Sequence, residues 1–141
     1  HRRAGTSNPL AAIGLASALQ LVEPQEAERL RGLQHFLESQ LLQLPGAHLL
    51  GAGAHRSPHI SAWTFAGVDA EPLLVLLDLA GISASSGSAC SSHSLAMGYP
   101  AEQCRGLIRF SLGHATSEDD LHHLLERLPT MLQQVRQRSS R

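Results

Sequence analysis

Lysine is absent from all 141 residues, so each of the 11 basic side chains is an arginine. A chain without lysine supplies no Schiff-base amine of its own and carries its positive charge only as rigid guanidinium forks. Charged residues make up 16%, against roughly 25% in an ordinary soluble domain. That deficit points to a surface normally covered by another domain or subunit. Aromatic residues stand at 4% and the net charge at −1, which leaves neither a base-stacking platform nor a phosphate-tracking basic face. No nucleic-acid partner is therefore expected. The two cysteines, Cys90 and Cys104, exclude a disulfide framework and an all-cysteine zinc site. The longest apolar segment, Pro9 to Val22, falls short of the roughly 20 residues that cross a bilayer, so no membrane span is expected. His1-Arg2-Arg3 opens the chain without an initiator methionine or a secretory pattern, and the chain is expected to be a piece of something longer.

What is present fits one domain with a sizeable core. Asn8-Pro9 is a helix start, and the segment to about Val22 is apolar on nearly every face, which implies burial between two bodies. Pro24 opens an amphipathic helix to about Leu44, with Leu30, Leu33, Leu37, Leu41 and Leu44 in one stripe, and Pro45-Gly46 ends it. Strands are expected at about Ala47 to Leu50 and His59 to Phe65. Asp69 can cap a helix with Leu73, Leu76, Leu77 and Ala80 as its stripe and Gly81 as its stop. Short strands follow at Ile82 to Ala84 and Leu107 to Ser111. Ser117, Glu118, Asp119 and Asp120 begin a last helix with a Leu121, Leu124, Leu125, Leu128, Leu132, Val135 stripe, which Pro129 should kink or divide. Helices flanking a small sheet of short strands make an α+β domain.

The chemistry concentrates in Ser85-Ser86-Gly87-Ser88-Ala89-Cys90-Ser91-Ser92. A thiol that only packs usually has large apolar neighbours, because free cysteine behaves as a small hydrophobe. Cys90 has none in this run.

That loop resembles the active-site loop of the NifS/IscS-like group of cysteine desulfurases, in the class V aminotransferase superfamily. Arg3-Ala4-Gly5-Thr6-Ser7-Asn8 is similar to the Arg-x-Gly-Thr-x-Asn segment of that group, Glu28-Arg29-Leu30-Arg31-Gly32-Leu33 to its long helix, and Ile108-Arg109-Phe110-Ser111-Leu112-Gly113 to its late substrate-binding strand. The resemblance implies the small C-terminal domain of a fold-type I enzyme. Residues 1–22 would close a large-domain segment and form the connecting helix, with residues 23–141 as the small α+β domain. It implies pyridoxal phosphate, bound by a lysine outside this chain, so that the chain alone is expected to be inactive. In the implied reaction the Cys90 thiolate takes sulfur from L-cysteine as a persulfide, alanine departs, and the sulfur passes to an acceptor or iron–sulfur scaffold protein. Arg109 would hold the substrate carboxylate, and Thr6 would reach the cofactor phosphate of the other subunit of a cytoplasmic homodimer, with Arg3 shaping the same region. No metal is implied. The stretch around Ala96-Met97-Gly98 is shorter than the family pattern, which shortens the tether of the sulfur-carrying loop.

Plainer readings stay open for each residue. Arg109 is also readable as an edge-strand arginine paired to a local carboxylate, and Thr6 as an ordinary turn residue. His93 is readable as solvent-exposed, as a neighbour lowering the Cys90 pKa, or as half of a Cys-x-x-His site. Cys104 reads as a small packed group. For the whole chain the alternatives are a non-catalytic persulfide carrier or interaction module, and a related class V enzyme such as a selenocysteine lyase.

Overall fold

A computed structural model describes residues 8–86 and 105–139. Helix α1, Pro9–Gln20, starts as expected: the Asn8 Oδ1 accepts from the Ala11 amide at 3.0 Å, with proline in the first turn. It ends just before the expected Val22, and it contributes no buried residue. Leu10, Ile13, Leu15 and Leu19 are 63–80% exposed, so its apolar faces lie open.

Helix α2, Pro24–Leu41, puts Leu30, Leu33, Leu37 and Leu41 into the core. It stops before the expected Leu44 because Pro45 disfavours helical backbone at the residue before it. Gly46 then turns the chain at φ +75°, where an added Cβ would sit 2.8 Å from the Ala66 Cβ.

Among the described residues four strands follow: β1 (Ala47–Leu49), β2 (Ile60–Phe65), β3 (Ser85–Ser86) and β4 (Ile108–Ser111). Their order across the sheet is β1-β2-β4-β3, and every pairing is antiparallel. Paired residues share a face, so Trp63 with Ile108 and Ser61 with Phe110 point into the core. Ala62, Arg109 and Ser85 line up on the opposite face. Helix α3 (Ala70–Leu79) and helix α4 (Glu118–Ser139) join α2 over the core face, and their buried leucines form one cluster with Trp63, Phe65, Ile108 and Phe110. The expected α+β architecture is the one observed.

Three local expectations are corrected. Asp69 occupies the cap position of α3 but makes no side-chain capping bond. The strand expected at Ile82 to Ala84 begins instead at Ser85, and the close of α3 takes the Ile82 amide. Gly81, at φ +75°, donates to the Asp78 carbonyl at 2.9 Å and Ile82 to the Leu77 carbonyl at 2.9 Å, the paired bonds of a Schellman close. Pro129 does not divide the last helix, which runs unbroken through it. Leu128 on one side and Leu132 and Val135 on the other are at most 2% exposed, so one core holds both halves in line. At its start, Asp120 Oδ2 accepts from the Ser117 amide at 2.9 Å while the Asp120 amide donates to Ser117 Oγ at 3.3 Å, a reciprocal cap. Bonds to the carboxylate from the Ser117 amide and, at 2.8 Å, the Ser117 hydroxyl hold the Asp120 carboxyl below its usual range.

The core is not wholly apolar. Trp63 Nε1–H donates to Ser61 Oγ at 2.7 Å, and the Ser61 hydroxyl donates to Glu38 Oε1 at 2.8 Å. Arg56 grips the same carboxylate with both Nη atoms, Nη2 standing 2.8 Å from Oε2. Burial opposes ionisation of Glu38, yet the hydrogen bonds from Arg56 and Ser61 and the charge of Arg56 outweigh it and hold the carboxyl below its usual range. Gln34 is bonded likewise, donating to the carbonyls of Ser57 at 2.9 Å and Ile60 at 2.7 Å.

Candidate functional site

Alternation along β4 decides where Arg109 goes. Ile108 and Phe110 are 0% and 4% exposed, so the residue between them must face away from the helices. Arg109 stands exposed on that open face, its backbone aligned with Ala62 of β2 on one side and Ser85 of β3 on the other. The reading as an edge-strand arginine is therefore overturned, since β4 is interior to the sheet. No ion pair forms between Arg109 and a carboxylate among the described residues. Its one side-chain bond among them runs from Nη2 to Ser85 Oγ at 3.4 Å. A guanidinium with donors to spare, on a backbone held from both sides, is suited to gripping a small carboxylate.

Thr6, Arg3, Cys90, His93 and Cys104 lie outside the described residues. In the sequence Cys90 follows four residues after Ser86, which pairs with Ile108. Strand β3 is thus the root of the cysteine-bearing segment and the neighbour of Arg109 at once.

Two contributors were not legible from the sequence. Ser85 was visible only as part of the loop motif, and its alignment with Arg109 is a matter of register between distant segments. Arg29 ties α2 to the turn that follows β4: Nη1 donates to the Thr116 carbonyl at 2.8 Å, and Nη2 to those of His114 and Gly113 at 3.0 and 3.1 Å. Glu26 orients it through a two-point ion pair, and the hydrogen bond from Arg29 holds the Glu26 carboxyl below its usual range. A cavity of about 360 Å³ lies by the helix side of β4, lined by Phe110, Ile82, Leu121 and Leu124 with Asp120 and His123. Arg109 is not among its lining residues.

The Aminotransferase class-V family profile matches residues 1–124. The cysteine desulfurase IscS of Methanosarcina thermophila is 38% identical over 98% of this chain and 37% of its own length. The cysteine desulfurase NifS of Azotobacter vinelandii is 36% identical over 96% of this chain and 36% of its own. Among solved structures, a NifS-like protein from Rickettsia africae superposes with a TM-score of 0.77 at 33% identity, over 92% of this chain and 36% of that one. The chain thus spans a little over a third of the length of the relatives it matches. It belongs to the class-V aminotransferase family.

Proposed function

We propose that this chain is the C-terminal part of a pyridoxal-phosphate-dependent cysteine desulfurase, which moves sulfur from L-cysteine to Cys90 and on to an acceptor protein, releasing alanine. The observation that carries this reading is Arg109, an exposed guanidinium without an ion pair among the described residues, beside the strand from which the Cys90 segment departs. The identity to IscS and NifS over nearly the whole chain supports it.

This chain has no lysine to bind the cofactor, and its expected phosphate contact, Thr6, lies outside the described residues. Pyridoxal phosphate, held elsewhere in the intact protein, would withdraw electrons from the substrate carbon. The part assigned to this chain is narrower. Arg109 forks the α-carboxylate of L-cysteine and so fixes where the substrate's sulfur points. The Cys90 thiolate then forms a sulfur–sulfur bond as the substrate's carbon–sulfur bond breaks, the carbon keeping that bond's electron pair and taking a proton to leave as alanine. The open apolar faces of α1 support the further reading that residues 1–22 join and pack against a larger domain; the intact protein we read as a cytoplasmic homodimer.

The test joins this chain to the large domain of a relative and follows alanine and persulfide from L-cysteine. Turnover is expected, with Cys90→Ala losing the persulfide and Arg109→Ala raising KM. Persulfide formation unchanged in Cys90→Ala would overturn the reading.

A further inference from the structure

We propose that Ser85 is the positioning residue of Arg109, an inference that rests on the reading of Arg109 as the carboxylate anchor. The backbone of β4 is fixed by strands on both sides, but an arginine side chain carries about 2 kcal/mol of rotamer entropy, and a fixed backbone does not aim its far end. Something must hold the guanidinium. On the open face the antiparallel register sets Ser85 directly opposite Arg109, and the Ser85 hydroxyl oxygen lies 3.4 Å from Nη2. It is the only side-chain partner of Arg109 among the described residues. Nη2 carries two hydrogens, so one bond to Ser85 leaves the second, with a hydrogen of Nη1 or Nε, to form the two-point grip on a carboxylate. A serine fits this place. A larger polar side chain would cover the fork, and a carboxylate would neutralise it. The residue that steadies the substrate anchor thus sits at the root of the segment that carries the nucleophile.

The test uses the joined holoenzyme and two inhibitors that differ only in the group Arg109 would grip: L-alanine, and ethylamine, the same molecule without its carboxylate. The ratio of their inhibition constants reads the hold on the carboxylate alone, because a general loosening of β3 weakens both alike. Ser85→Ala is expected to lower the preference for L-alanine about three- to tenfold, and Ser85→Thr, which keeps the hydroxyl, to restore it to within about twofold. An unchanged preference in Ser85→Ala, or no recovery in Ser85→Thr, would overturn the positioning role. Arg109→Ala separates the two claims. If it abolishes the preference while Ser85→Ala does not, only the role of Ser85 falls; if it leaves the preference intact, the carboxylate reading of Arg109 falls and takes Ser85 with it.

Discussion

Removing Arg56 should destabilise the domain more than removing the charge it neutralises. The Glu38 side chain is 8% exposed and that of Arg56 23%. Arg56→Ala deletes both guanidinium bonds and leaves a carboxylate in the core with the Ser61 hydroxyl as its remaining bonded partner among the described residues. Breaking a fully buried pair costs about 3–5 kcal/mol, and the partial exposure of Arg56 brings this case to about 2–3. Glu38→Gln keeps an acceptor for Ser61 but turns an amide toward the guanidinium, for about 1–2 kcal/mol. The double variant removes the uncompensated charge, so its cost should fall short of the sum by about 1–2 kcal/mol. Urea unfolding measures this directly, since Trp63 is the only tryptophan, is fully buried and donates into the same network. The pH dependence has a definite sign. The folded-state Glu38 carboxyl is held below its usual range, so the unfolded chain takes up that proton first as pH falls. The stabilisation is then complete above about pH 5 and lost as pH falls through the folded-state value, and the gap between wild type and Glu38→Gln should close there. Single costs that add to within about 0.3 kcal/mol at pH 7 would refute the coupling.

Leu128→Ala empties a fully buried site beside Pro129 and should cost about 3–4 kcal/mol in the same urea assay. Gly46→Ala combines a left-handed backbone with a methyl 2.8 Å from the Ala66 Cβ, and should lower the urea midpoint by the equivalent of about 1–3 kcal/mol. Asn8→Ala removes the cap of α1 at a cost of about 1 kcal/mol to that helix, read as lower helicity by circular dichroism with the Trp63 transition unmoved, because α1 places no residue in the core.

The long elements were legible because their signals are local. Leucine stripes at helical spacing, with Pro24 at one start and Ser117 at another, put α2 and α4 within a few residues of their observed bounds. Where the reading slipped, a non-local or competing bond decided. Ile82 has the composition of a strand residue, but its amide closes α3. Pro129 breaks an isolated helix, but a core that grips both flanks does not release it. Glu38 and Ser61 are polar residues at core positions, and only their meeting with Arg56 and Trp63 makes sense of them. At the candidate site Arg109 was legible through its motif, whereas its interior strand and its serine neighbour depend on which strands lie side by side.

Helix α1 is apolar nearly all round yet has no share in the core, and the two facts together separate properties that are usually entangled. Its leucines and Ile13 can be exchanged for glutamate or glutamine without taking one contact from the interior, so how readily the chain clumps in water can be tuned apart from how firmly it folds.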